Sequence, residues 1–282
     1  MARALPRGEG KGLRVFQVNL SPRGGFRQGF LREISGQEEL LPAGENESPV
    51  LASEIVARLL VDLPSAAVRR EAVWQISIGD RDRLVAELQR NCFGDRVSSV
   101  AQCESCEGSF EIEFSLSALI ERTDVRPSSA AEVAGPDDHG FYVAPGGGRF
   151  RLVTADDERL LLGVPPEQAG EMLLSRCLPD RSRGSAAETT QALVEAIDPV
   201  LSLELPASCA ECGAAQKVDF DLPRFFLASL FRERPLLIRE VHWIAKAYGW
   251  SHQEILGLPR TVRRAYAGLL VHDAEAALGT VR

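Results

Sequence analysis

Long apolar runs are missing from the sequence, and their absence argues against one large class of proteins. No stretch approaches the roughly 20 consecutive apolar residues that a membrane-spanning helix needs. The first 14 residues are basic and lack the apolar core of a secretory signal, so we expect a cytoplasmic protein. In that compartment the six cysteines stay reduced unless a metal holds them.

Recognisable catalytic motifs are missing as well. The chain has no nucleophile elbow, P-loop, paired-histidine zinc motif or dinucleotide-binding glycine motif after a strand. None of its four histidines has a partner at metal-ligand or catalytic-triad spacing. The acidic pairs Asp137-Asp138 and Asp156-Asp157 are adjacent, and neighbours on a strand point to opposite faces. We therefore expect no enzyme activity and no small-molecule substrate.

Positive charge is in the minority and is unevenly distributed. Lys and Arg number 32 against 40 Asp and Glu, and the net charge of −8 disfavours binding to nucleic acid. Residues 1–32 nevertheless carry a net +6 and residues 224–266 a net +5, which leaves −19 for the remainder. These basic segments predict docking to an acidic partner, with two solvated faces and no partner as the alternative.

Cysteine occurs in an informative pattern. Two CxxC motifs, Cys103/Cys106 and Cys209/Cys212, each lie between segments with the alternating apolar residues of strands. Two such turns brought together supply four thiolates in a tetrahedron, which is the geometry that zinc prefers. We predict one structural Zn²⁺ per chain, bound by these four residues and closed to catalysis. Reduced thiols without a metal and redox-active dithiols remain the alternatives.

The two CxxC motifs are far apart in the chain. A zinc ribbon normally closes over about 15–20 residues, whereas 102 residues separate Cys106 from Cys209. A sequence pattern of about 25 residues, in the order strand, CxxC, strand and helix, occurs twice and indicates an internal duplication. We therefore predict a split ribbon with residues 117–200 inserted between its halves. The remaining cysteines, Cys92 and Cys177, lie on apolar helix faces and are expected to be core residues.

The predicted fold class is α+β, mainly helical, with the split four-cysteine zinc ribbon and an α/β insertion. One helix is expected to begin at Asp80 as N-cap and to end at Gly94. Prolines and glycines predict a flexible loop over 126–148. The predicted segments are 1–72 (N-terminal arm and helix), 73–122 (helix and first knuckle), 123–199 (inserted lobe with the flexible loop), 200–223 (second knuckle) and 224–282 (C-terminal helical segment).

Two blocks of sequence resemble a known family. The first combines LREISGQEELL at 31–41, VWQISIGDRDRLVAELQRNCFGDRV at 73–97 and the CESC motif. The second combines CAEC, KVDFDL and REVHWIAKAYGWSHQEILGLPRTVRRAYAGLL at 239–270. Together they resemble the T-even-phage-type baseplate hub assembly chaperones. The resemblance is closer to zinc-knuckle members associated with phage-tail-like contractile injection systems, and it covers about residues 27–122 and 149–270.

The resemblance implies a non-catalytic accessory or assembly factor that binds baseplate, hub or spike proteins. Such a protein is expected in the cytoplasm or incorporated in a tail-like particle. The basic C-terminal segment then predicts partner-binding residues: Arg239, Trp250, Arg260, Arg263 and Arg264. The alternative is a zinc-ribbon regulator that binds nucleic acid through Arg260, Arg263 and Arg264, on a helix behind a capped turn. The aromatics of this segment are expected either to pack on the core or to contact the partner.

Overall fold

The structure is a computed structural model that describes residues 14–21, 26–41, 48–62, 70–123, 133–145, 147–179 and 185–279, with the backbone alone at 185–189 and 277–279. Within these ranges the fold is α+β, as predicted. Helices predominate, and the strands form four antiparallel two-stranded sheets.

The first half of the chain forms a hairpin, helices, a second hairpin and a final helix. In chain order its elements are β1 (Val15–Asn19), β2 (Gln28–Arg32), α1 (Gly36–Glu39), α2 (Pro49–Leu59), a 3-10 helix (Arg70–Gln75), α3 (Ile78–Phe93), β3 (Arg96–Gln102), β4 (Ser109–Ser115) and α4 (Leu116–Thr123).

The second half repeats this order. Its elements are β5 (Phe141–Val143), β6 (Arg149–Arg151), α5 (Ala155–Leu160), α6 (Pro166–Cys177), α7 (Ser185–Ile197), β7 (Ser202–Ser208), β8 (Ala215–Asp221) and α8 (Leu222–Arg232). The repeated unit is therefore much longer than the duplication of about 25 residues that the sequence indicates. Three further helices follow: α9 (Arg234–Tyr248), α10 (His252–Leu256) and α11 (Arg260–Gly279).

Most helix ends have the residues that helix ends require. The Ser48 hydroxyl accepts the Val50 N–H at the start of α2, and Gly249 ends α9 in the left-handed region at φ 67°. One predicted start is wrong: Ser77, not Asp80, caps α3, because its hydroxyl accepts the Asp80 N–H. The loop prediction over 126–148 is also wrong in part, since β5 lies inside it and pairs with β6 just beyond it, while residues 126–132 and Gly146 lie outside the described residues.

Separate hydrophobic clusters correspond to the parts of the fold. The largest joins α2, α3 and α8 with the first hairpin. A smaller one, around Tyr142, Phe150 and Ile197, lies in the segment between the knuckles. A third, around Leu237, Ile244 and Ile255, holds α9, α10 and α11 together. The segment between the knuckles thus has its own core, while the exact segment boundaries stay predictions.

The start of α11 is hydrogen-bonded to the segment after the first hairpin, β1–β2. Ser35 and Glu38 form a capping box, and the Arg32 guanidinium donates to the Glu38 carboxylate at 2.7 Å. The Arg260 N–H at the start of α11 donates to the Ile34 carbonyl at 2.9 Å. The C-terminal helices are therefore fixed to the N-terminal hairpin.

The start of α3 is hydrogen-bonded to the segment after the third hairpin, β5–β6, in the same way. Thr154 and Asp157 form the capping box, and Arg151 donates to the Asp157 carboxylate at 2.6 Å. The Ile78 N–H at the start of α3 donates to the Val153 carbonyl at 3.0 Å. The fold thus contains two equivalent junctions between a hairpin and a helix start, each joining segments that are distant in sequence.

No helix within the described ranges is both long enough and apolar enough to span a bilayer.

Candidate metal centre and the basic C-terminal segment

The two CxxC motifs form the same turn on two matching hairpins. In the first, the Cys103 N–H donates to the Gly108 carbonyl at 2.8 Å, and in the second the Cys209 N–H donates to the Ala214 carbonyl at 2.9 Å. The fifth residue of each turn has positive φ, 59° at Glu107 and 72° at Gly213. Strands of seven residues flank both turns in the same register. The structure therefore presents two copies of one knuckle.

The four cysteine sulfurs lie together although 102 residues separate the motifs. All four Sγ atoms are within 4.8 Å of one another. The Cys103 and Cys212 sulfurs are 3.7 Å apart, and the Cys106 and Cys209 sulfurs are 3.8 Å apart. Four sulfurs at ~2.3 Å from one zinc ion stand about 3.8 Å apart in a tetrahedron. The cluster therefore fits a single tetrahedral metal ion, and the predicted proximity of Cys103 and Cys209 is confirmed.

Contacts between the two hairpins hold this arrangement. The Gln216 side chain of β8 accepts the Glu104 N–H at 3.2 Å and donates to the Gln102 carbonyl at 3.0 Å. Farther from the turns, the Phe114 and Phe220 rings meet edge to face at 5.0 Å. Residues of both halves thus keep the sulfurs together without relying on the metal alone.

The electrostatics of the cluster favour a bound cation. Backbone N–H groups of Cys106 and Ser105 lower the pKa of Cys103 to about 7. The Gly108 N–H acts in the same direction on Cys106, but the neighbouring thiols of Cys212 and Cys103 outweigh it and raise the pKa of Cys106 to about 12. The first thiol therefore loses its proton readily. The negative charge of that thiolate then opposes deprotonation of the next thiol, unless a positive ion compensates the charge.

The other two cysteines are core residues, as predicted. Cys177 is buried, and Cys92 packs against the main core. Burial raises the pKa of Cys92 to about 12, so its thiol stays protonated and unreactive.

The predicted exposure of the C-terminal arginines is wrong for Arg260 and Arg263. Only 2% and 1% of these residues is exposed, so neither can contact a partner. Arg263 donates to Glu39 at 2.6 Å and to Glu240 at 2.8 Å. Arg260 pairs with Glu39 as well, and both Arg260 and Arg264 pair with Glu233. The positive charge of α11 is therefore neutralised inside the fold, because three carboxylates from α1 and the start and middle of α9 surround it.

Three of the predicted partner-binding residues remain accessible. Arg239 is exposed, Arg264 is partly exposed, and Trp250 is half-buried. Trp250 stacks on Tyr248 at 5.2 Å and meets Tyr266 edge to face at 5.1 Å. The Trp250 ring therefore serves at least partly to attach α10 and α11 to α9.

Sequence reasoning missed a buried acidic cluster at the start of α3. Asp198 accepts the Ser77 hydroxyl at 2.6 Å and the Gly79 N–H at 3.1 Å, and Asp82 accepts the Leu201 N–H at 2.8 Å. Asp80 accepts the Ser21 N–H at 2.6 Å and lines a cavity of about 670 Å³. The clustering of acids in GDRD was the available signal, but Asp80 has its partner Ser21 59 residues away and Asp82 has its partner Leu201 119 residues away.

Comparisons of the chain with protein-family models, with curated proteins and with solved structures gave no match.

Proposed function

We propose that this protein is a non-enzymatic, zinc-stabilised assembly factor of a contractile phage tail or phage-tail-like injection system. One observation carries the proposal. Two of the segments that carry the family resemblance, GDRDRL at 79–84 and EILGLPR at 254–260, lie at the two equivalent junctions of the fold. The resemblance therefore concerns the residues that hold the framework together rather than a peripheral loop.

Zinc is the metal that suits the four-cysteine cluster best. Thiolates select zinc over magnesium or calcium, and four of them leave no position open for water or substrate. The ion would then have a structural role and would hold the β3–β4 hairpin against the β7–β8 hairpin. This supports a binding protein rather than a metalloenzyme.

The charged residues of the resembling segments point the same way. Arg81 donates to Glu158 at 2.7 Å and to Asp82 at 2.7 Å, at the junction of the third hairpin. Arg263 has the same place at the other junction, opposite Glu39. These side chains bind one another and so support an architectural role.

The nucleic-acid alternative loses the residues on which it depended. It required Arg260, Arg263 and Arg264 on the outer face of a helix, and the first two are buried. The net charge of −8 disfavours phosphate backbones further.

Deletion of the gene in the organism that encodes it tests the proposed function. We expect tail-like particles to be absent or to lack their baseplate, and a plasmid copy to restore them. We also expect the purified protein to give no salt-sensitive gel shift with duplex DNA. Normal particles in the deletion strain would contradict the proposal, and a strong gel shift would favour the alternative.

A further inference from the structure

The outward face of α9 differs from its core-facing side. Leu237, Glu240, Val241 and Ile244 recur at helical spacing and are buried. At the two edges of the outward side, Ile238 is 62% exposed and Leu236 is 37% exposed. Between them lie Arg239 and Lys246, both exposed. One helix therefore has one buried face and a second face that is largely exposed and both apolar and basic, with Trp243 at its border packed on the core.

The charge of this face follows from the buried ion-pair network. Glu240, the one carboxylate within α9, points inward to Arg263. Glu233, just before the helix, pairs with Arg260 and Arg264. Within the described ranges neither Arg239 nor Lys246 forms an ion pair, whereas the exposed cations Arg58 and Lys217 do. The outward face of α9 is thus positive without compensation, on a protein of net charge −8.

Building on the proposed function, we propose that the outward face of α9, formed by Leu236, Ile238, Arg239, His242, Trp243 and Lys246, binds an acidic amphipathic helix of a partner protein. Leu236 and Ile238, at the two edges of this face, would contact apolar side chains of such a helix, and Arg239 and Lys246 between them would contact its carboxylates. The Arg239 guanidinium lies 6.0 Å from the centre of the Trp243 ring, which holds the cation beside the apolar surface.

Charge favours an acidic helix on this face over a second copy of the chain, a nucleic acid or a membrane. A symmetric dimer through α9 would place Arg239 and Lys246 of one copy near the same residues of the other, and like charges repel. Two cations contribute little electrostatic binding energy toward a nucleic acid, and contacts of exposed aliphatic side chains with phosphates add none. The strongly acidic remainder of the chain disfavours an anionic membrane surface.

Binding of synthetic peptides to the full-length, zinc-loaded protein tests the proposal. The probe is a labelled helical peptide of about 18 residues, with leucines on one face and glutamates beside them, followed by fluorescence anisotropy. The first comparison peptide replaces the glutamates by lysines, and the second replaces the leucines by glutamines. We expect the acidic amphipathic peptide to bind and both comparison peptides to bind at least about tenfold more weakly.

Variants then locate the binding site. I238S/R239E should weaken binding of the acidic peptide about tenfold or more, and K246E should weaken it and reduce its salt dependence. The matched control is V100S/R122E, which changes an exposed valine and an exposed arginine far from α9 in the chain. The control should bind as the unaltered protein does, and all variants should keep the same thermal melting temperature.

Equal binding of the acidic peptide to I238S/R239E and to the control would overturn the proposal, as would equal or stronger binding of the lysine peptide. So would a dimer in sedimentation that I238S dissociates, or capture by phosphatidylserine vesicles that I238S/R239E abolishes. If the peptide fails to bind but gene deletion still abolishes particles, the surface is wrong and the proposed function stands. If the peptide binds as expected but deletion leaves particles intact, the surface stands and the proposed function is wrong.

Discussion

At the scale of single residues, the most consequential feature is the use of arginine inside the fold. Arg263 is the largest fully buried side chain of the described part of the chain, and it lies between Glu39 and Glu240. Sequence alone placed it on the surface, because long charged side chains are rarely buried unless they are paired. Its partners are more than 20 and more than 220 residues away, so local sequence could not reveal the pairing.

Removing this arginine should be costly. Arg263→Ala removes one cation from each of two buried carboxylates, which keep only Arg260 beside Glu39 and Arg264 at 3.6 Å from Glu240, and we expect a loss of about 3–5 kcal/mol in the free energy of unfolding. Arg239→Ala, on the exposed face of α9, should change it by no more than about 0.5 kcal/mol. Urea denaturation of both variants measures the difference. Equal midpoints would show that the buried network contributes little.

Asp80 should make stability depend on pH. Burial raises the pKa of this carboxyl from 3.8 to about 7, against the opposing Ser21 N–H and with repulsion from Asp198. The folded protein holds the proton more tightly than the unfolded chain. The stabilising contribution of Asp80 to the free energy of unfolding is therefore complete below 3.8, the pKa of this carboxyl in the unfolded chain. It is lost as pH rises to about 7.

Asp80→Asn removes that titration. Relative to the unaltered protein, the variant should gain at least about 1 kcal/mol between about pH 5 and pH 8, since one pKa unit corresponds to about 1.4 kcal/mol. Urea denaturation at both pH values measures this gain. A constant difference between the two proteins across this range would contradict the account.

At the scale of elements, local signals were enough for many helices and for both knuckles. The predicted helix end at Gly94 is confirmed, and alternation identified β3, β4, β7 and β8. Strand β5 was missed because prolines and glycines dominate its surroundings. Its three residues are too few to show periodicity, and packing of Tyr142 on Phe150 holds it in the hairpin with β6.

The close approach of the segment after α7 to the start of α3 depends on a glycine. A Cβ on Gly79 would lie 2.5 Å from the Asp198 carboxylate oxygen, whereas a Cβ on Gly170 in α6 would meet nothing within 4 Å. Gly79→Ala should therefore destabilise the protein by about 1–3 kcal/mol. Gly170→Ala should stabilise it by up to about 1 kcal/mol through helix propensity. Thermal melting of both variants tests this, and a stabilising Gly79→Ala would show that the approach is looser than described.

At the scale of the whole molecule, the two repeats meet at the four-cysteine cluster, which could hold a metal ion. Each repeat supplies one buried and one exposed cysteine, and neither alone has more than two ligands. The sequence predicted this convergence because CxxC turns between strands have one common use. It did not reveal the two hairpin–helix junctions, since these combine residues from opposite ends of the chain.

Metal removal should loosen one part of the molecule selectively. Chelation should speed amide hydrogen exchange in β3–β4 and β7–β8, because their ends lose the common ion. The amides of α9 and α11 should be affected less, since their own core and the buried arginine network remain. Uniform faster exchange over the chain would instead mean that the metal holds the entire fold.

X-ray absorption spectroscopy combined with elemental analysis of the gently purified protein tests the central claim most directly. The account predicts one zinc per chain, bound by four sulfurs at ~2.3 Å, with the metal lost in Cys209→Ser and kept in Cys92→Ser. Well under one zinc per chain, or a coordination shell containing nitrogen or oxygen ligands, would contradict the claim that Cys103, Cys106, Cys209 and Cys212 form a single structural site.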